Sequence, residues 1–173
     1  MRRTESPEVI YAGGGIVSVD AAAIAQLKQD ATGNARQRIR LCTHPTVDDL
    51  LHEMLIVHEK NVYVRPHKHL GKSESFHVIE GDVDVVIFDD AGSVAQMIRM
   101  GAYGSGRHFY YRLAEPLFHT LLIRSAVLVF HEVTNGPFRR EGTVFAPWAP
   151  VDTDEDGVRR FLLDLDAVVS ESW

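Results

Sequence analysis

From residue 36 to about residue 133 the chain alternates polar and apolar positions, the period expected of strands with one face buried. Arg36-Gln37-Arg38-Ile39-Arg40-Leu41 opens the series, and 50–57 reads as a largely buried strand. Further strands are predicted over 61–69, 75–80, 82–88, 94–100, 107–113, 118–123 and 126–133. Turn-forming clusters separate them at Glu80-Gly81-Asp82, Asp89-Asp90-Ala91-Gly92, Gly101 to Gly106 and Asn135-Gly136-Pro137. Short strands at this spacing predict a mainly β fold, an antiparallel sandwich or jelly-roll barrel.

Both ends differ from this pattern. Residues 8–11 suit a short strand, and Gly13-Gly14-Gly15 requires a turn. Ser18 is placed to cap a helix over 20–31, with Ile24 and Leu27 on one face and Gly33 just past its end. After residue 150, Asp152, Asp154, Glu155 and Asp156 put negative charge where a helix would begin. Val158, Phe161, Leu162, Leu165, Val168 and Val169 then recur at helical spacing. The expected organisation is an N-terminal strand and helix extension (1–33), a barrel (34–150) and a C-terminal helical tail (151–173). The tail's apolar face either packs on the barrel or forms a dimer contact, and a homodimer is the expected assembly.

Composition narrows the function classes. The 173 residues carry a net charge of −6 and 45% hydrophobic residues, ordinary values for a globular domain with a substantial core. Arg36, Arg38 and Arg40 are the only dense cationic cluster, too small for a nucleic-acid footprint. No apolar run reaches membrane-spanning length. The start, Met1-Arg2-Arg3-Thr4-Glu5, lacks the apolar stretch of a secretion signal. Cys42 is the single cysteine, so no intramolecular disulfide forms. A cytoplasmic location is the expectation.

The concentrated chemistry lies at His67-Lys68-His69, followed by Glu74 and Gly81. Alternate residues of a strand face the same way, so His67 and His69 present two imidazoles side by side. The intervening Leu70-Gly71-Lys72-Ser73 can turn the chain and bring Glu74 alongside. Two imidazoles and a carboxylate suit a divalent first-row ion with positions left open.

This HxH-x4-E-x6-G run resembles the first motif of the cupin superfamily. More narrowly, Tyr63-Val64-Arg65-Pro66-His67-Lys68-His69 is similar to a segment of the WbuC family of cupin-fold metalloproteins. Phe88-Asp89-Asp90-Ala91-Gly92, the run from His131 to Phe138, and the run from Phe145 to Pro150 agree with that match, which spans about residues 34–150. The resemblance implies a double-stranded β-helix barrel and one divalent ion (Fe, Zn, Ni or Mn) on His67, His69, Glu74 and His119. Pro116-Leu117-Phe118-His119 departs from the second cupin motif by lacking a glycine between proline and histidine. His119 nevertheless lies on an alternating strand with Leu117 and Leu121 on its face, where a polar group needs a partner. The family's name comes from polysaccharide-antigen gene clusters, so the resemblance implies fold and metal without a reaction.

Around this core, Arg38 and Arg40 are candidates for the pocket mouth, where guanidinium forks can hold a carboxylate or phosphate. Tyr63 and Arg65 share the parity of His67 and are expected to line the same cavity, and Lys72 to guard its entrance. Tyr63, His44 and Glu132 are the candidate acid–base groups. Three readings follow. The first is Lewis-acid chemistry (isomerisation, epimerisation or elimination) on a small anionic or sugar-derived substrate. The second is metal-dependent binding or sensing of such a molecule without turnover. The third is iron-dependent oxygenation. A purely structural zinc site fits less well, because such sites favour thiolates.

Overall fold

A computed structural model describes residues 3–172; Met1 and Arg2 of the extension and Trp173 of the tail lie outside it. The strands are β1 (Arg3–Ser6), β2 (Val9–Tyr11), β3 (Arg38–Cys42), β4 (Leu51–Glu59), β5 (His67–His69), β6 (Glu74–Glu80), β7 (Asp82–Phe88), β8 (Val94–Gly101), β9 (Tyr110–Leu113), β10 (Phe118–Ile123), β11 (Val127–Asn135) and β12 (Thr143–Phe145). Helix α1 covers Ala21–Thr32 and α2 covers Glu155–Ser172. No helix among the described residues is long and apolar enough to cross a membrane.

The strands form two sheets. The larger has the order β1-β2-β3-β4-β11-β6-β9, the smaller β12-β5-β10-β7-β8. Neighbours in the two lists are mostly far apart in sequence, as in a jelly roll whose chain alternates between sheets. All pairs are antiparallel except β2 with β3. β1 and β2 thus lengthen the large sheet.

Period-two alternation sorts each strand's side chains into two layers. The inner faces enclose Met54, Ile56, Phe76, Val78, Val83, Val85, Leu121, Leu128 and Phe130. The outer face of the large sheet packs Ile39, Leu41, Val57 and Val129 beneath Leu27 and Ala31 of α1. The outer face of the small sheet packs Val86, Phe88, Phe118 and Leu122 beneath Leu165 and Val169 of α2. Strands covered on both sides explain the near-continuous apolar runs of β7 and β10. Gly81, at φ +89°, makes the β6–β7 turn; a Cβ there would lie 2.3 Å from the Val127 carbonyl oxygen. Only glycine fits.

Strands β1 and β12 lie outside the expected series, and two further local details differ from expectation. The cap of α1 is Asp20, whose Oδ1 accepts from the Ala23 N–H at 2.8 Å, instead of Ser18. The strand predicted over 61–69 survives only as His67–His69. Pro66 has no N–H to give to a ladder, and the preceding segment is tied instead through its carbonyls: Pro66 accepts from Ala146 N–H, and Val64 from the Thr120 hydroxyl.

Inside the barrel, His58 sits 8% exposed with its ring edge-on to Phe130. Burial, reinforced by the nearby Arg38 and Arg40 charges, pushes its pKa down to about 3. An unfolded histidine titrates near 6.5. The folded chain therefore keeps a neutral His58 while the unfolded chain takes up a proton. The resulting stability is fully present above about pH 6.5 and drains as pH falls toward 3, at about 1.4 kcal/mol per pH unit. Between pH 7 and pH 5 urea denaturation should show a loss of about 2 kcal/mol from this group, and His58→Phe should remove it. Equal losses in wild type and variant would refute the assignment.

Candidate metal centre

The inner parity that builds the core also delivers the polar site. His119 shares a face of β10 with Leu121 and Ile123, and Glu74 shares one of β6 with Phe76 and Val78. β5 pairs with β10 through His67 opposite His119, and with β12 through Thr143 opposite His69. One ring nitrogen from each of His67, His69 and His119 falls within 4.8 Å of the others. Glu74 closes the group, its Oε1 3.0 Å from His119 Nε2 and its Oε2 3.2 Å from His69 Nε2.

The far nitrogens are anchored. His67 Nδ1–H donates to the Arg65 carbonyl at 2.9 Å, and His119 Nδ1–H donates to the Leu117 carbonyl at 3.0 Å. A carbonyl only accepts, so both rings hold their tautomer with Nε2 turned inward. His69 Nδ1 lies 3.2 Å from the Thr143 hydroxyl. Ring nitrogens held from behind while the others converge are the usual support of metal-ligating histidines. Tyr111, 7% exposed on β9, donates its phenolic O–H to Glu74 Oε1 at 2.6 Å.

The electrostatics agree with a cation site. Burial, aided by the neighbouring His119 and His69, pushes His67 down to about 3, so its nitrogen lone pair is free at neutral pH. Burial pushes the Glu74 carboxyl up, but His119 and the hydrogen bonds from His119, His69 and Tyr111 outweigh it and hold Glu74 well below the usual range. Burial alone would lower His119, yet the Glu74 charge and hydrogen bond raise it. Burial and Glu74 keep the Tyr111 phenol protonated. Three imidazoles and a carboxylate without a thiolate fit a first-row divalent ion.

Glu132 occupies inner parity on β11, opposite Phe76 and Met54. It has no hydrogen-bond or ion-pair partner among the described residues. Burial first, then the Glu74 charge, pushes its pKa up to about 7, against the pull of Arg40 and His119. Arg40 follows the inner parity of Cys42; it is exposed and lacks an ion-pair partner among the described residues.

The other candidates are placed elsewhere. Arg38 Nε donates to Glu8 at 2.7 Å, so its fork is already engaged. Tyr63 and Arg65 do not line the barrel with His67. The irregular backbone before Pro66 turns Val62 and Val64 into the core and sends Tyr63 outward, where its O–H donates to the Pro150 carbonyl at 3.0 Å and its ring meets Phe161 of α2. Arg65 lies over the Phe145 ring, 4.9 Å from its centroid, and donates to the Ala146 and Ala149 carbonyls. Lys72 donates to the Pro137 carbonyl at 2.7 Å and ties two loops together. His44 is stacked on His52, ring centroids 4.0 Å apart, with its Nδ1 on the Glu53 backbone. It is 5% exposed, a packed residue and not a free base. Two surface clefts, of about 1060 and 780 Å³, include none of the clustered groups: the first crosses the outer face of the large sheet, and the second lies beside α2.

Tyr111 and Thr143 were missed from sequence. Tyr111 had a usable signal, since it falls on the inner parity of β9 opposite Phe76. β12 is three residues long and carried none.

Residues 19–100 match the family described as Domain of unknown function (DUF6016). No curated protein matches the chain in sequence. Among solved structures the chain is similar to protein SO0799 from Shewanella oneidensis, at 5% identity over 65% of this chain and 75% of that one, with a TM-score of 0.52. It is also similar to CapF, solved with the inhibitor 3-isopropenyl-tropolone, at 16% identity over 61% and 31% of the two chains, TM-score 0.49. Similarity to Lactobacillus farciminis oxalate decarboxylase runs at 14% identity over 56% of this chain and 27% of that one, TM-score 0.45. The chain thus spans about a quarter of the decarboxylase's length. At these identities the likeness is one of fold. Two sheets in jelly-roll order, antiparallel apart from β2 with β3, with the histidine cluster on their inner faces, give this chain a cupin-type fold with a candidate metal centre.

Proposed function

We propose that the barrel holds one divalent ion on His67, His69, Glu74 and His119 and uses it on a small anionic or sugar-derived molecule. The carrying observation is the convergence of three ring nitrogens within 4.8 Å, two of them tautomer-locked by backbone carbonyls. Bound there, such an ion supplies Lewis acidity toward a substrate oxygen. The chain's own groups then divide the work. Arg40, free of an acidic partner among the described residues, offers its guanidinium to an anionic group on the substrate. Glu132, held near neutrality by burial and Glu74, is suited to take and return a proton near neutral pH. That carboxyl favours proton-transfer chemistry, such as isomerisation or elimination, over simple sequestration. The WbuC-like segments bear on the substrate alone and suit a molecule related to polysaccharide antigens.

Elemental analysis of protein purified without metal supplementation tests the metal half of this reading. About one divalent ion per chain is expected, and a protein that neither retains nor takes up such an ion would end it. The anion half rests on the contrast between two arginines. In cobalt-loaded protein titrated with malonate, Arg40→Ala should weaken binding roughly 10-fold or more, the worth of a charge-assisted hydrogen bond. Arg38→Ala, already engaged by Glu8, should change it little. The reverse order would reject Arg40 as the anchor.

A further inference from the structure

Tyr111 is drawn into the site by a strand far in sequence from its partner Glu74, 37 residues away. β9 is the edge strand of the large sheet and pairs only with β6. Its register sets Tyr111 opposite Phe76, two residues from Glu74 along β6. The Tyr111 ring stands edge-on to Phe76, centroids 4.5 Å apart and planes at 84°, which fixes the direction of the phenol. The O–H then reaches Glu74 Oε1 at 2.6 Å, a short bond between a neutral donor and a carboxylate.

The two oxygens of Glu74 are therefore unequal. Oε1 accepts from Tyr111 as well as facing His119 Nε2. Oε2 faces only His69 Nε2. A hydrogen bond to one oxygen withdraws electron density from it and fixes the carboxylate's rotation, leaving the other as the better donor. Resting on the proposed metal reading, we infer that Tyr111 is a positioning residue that makes Glu74 a one-oxygen ligand through Oε2. By preventing Glu74 from closing on the ion with both oxygens, Tyr111 keeps a coordination position open for substrate. A site able to chelate through both oxygens would fill that position itself.

Tyr111→Phe removes the hydroxyl while retaining the ring that packs on Phe76, so the variant should fold, with a melting temperature lower by several degrees for the lost hydrogen bond to a carboxylate. The informative readout is the visible spectrum of protein saturated with cobalt(II), which absorbs strongly at low coordination number and weakly when six-coordinate. Wild type should give the stronger band, and Tyr111→Phe a weaker one as Glu74 swings to bind through both oxygens. Cobalt affinity should shift with it by about 10- to 100-fold, the usual effect of removing a ligand's outer partner. An unchanged spectrum and affinity in a folded Tyr111→Phe would overturn the inference while leaving the metal reading intact. Should that variant prove unfolded, Tyr111→Leu and Tyr111→Met, which likewise carry no hydrogen-bond donor, replace it: a weaker band than wild type in the folded one supports the assignment, and an equal band overturns it. Failure of wild type to bind cobalt would overturn both.

Discussion

Replacing His69 by alanine is expected to empty the metal centre while leaving the barrel folded. The side chain is one of three imidazoles whose ring nitrogens converge, and a site that loses one of so few donors loses most of its hold on a labile divalent ion. The fold does not depend on it in the same way. His69 lies at the rim, its side chain 23% exposed, and the apolar layers do not include it. Its removal leaves the Tyr111–Glu74–His119 hydrogen bonds in place. Elemental analysis should find His69→Ala nearly metal-free, with far-UV circular dichroism matching metal-free wild type. His67→Ala should behave alike. Near-wild-type metal content in either folded variant would sink the ligand assignment.

The largest effect on stability should come from Arg124, well away from the metal. Asp84 is 4% exposed beneath α2, with Oδ2 accepting from Arg124 Nε at 2.6 Å and Oδ1 without a partner. Arg124 also bridges to Asp166 of α2, so one guanidinium joins the small sheet to the helix above it. Arg124→Ala leaves a buried carboxylate uncompensated, at a cost of about 3–5 kcal/mol. The exposed Asp166 arm contributes little, about 0–1 kcal/mol. Urea denaturation of the metal-free protein measures the sum. The double variant Asp84→Val with Arg124→Met should recover most of the loss, because an apolar pair of similar volume replaces a buried ion pair at little cost. A loss below about 1 kcal/mol in Arg124→Ala would show that Asp84 is solvated in a way its burial does not suggest.

Legibility of this chain followed how local each constraint is. The strand series and its turns could be read directly, since alternation and a glycine such as Gly81 act within a few residues. The same holds for His67, His69 and Glu74, which lie on adjacent strands joined by a short loop. Parity put His119 inward as well, although a long stretch of chain separates it from the others. Reading failed where regular parity was extended across Pro66: the chain there is not a strand, and Tyr63 turns to α2 and Arg65 to Phe145 and the 146–149 loop instead of the barrel. It was also silent where partners are distant in sequence. Nothing near Arg38 announced that Glu8 would engage it, and nothing near Glu74 announced Tyr111.

Sequence alone therefore determined the strand-built barrel and the histidine–carboxylate run, because both arise from periodicity and short-range geometry. Tertiary structure alone decided which charged groups remain available to a ligand. Arg38, Tyr63, Arg65 and Lys72 are consumed by internal contacts, whereas Arg40 and Glu132 have no partner among the described residues. That division depends on which strands become neighbours, and the order β4-β11-β6-β9 brings together residues that no local pattern relates.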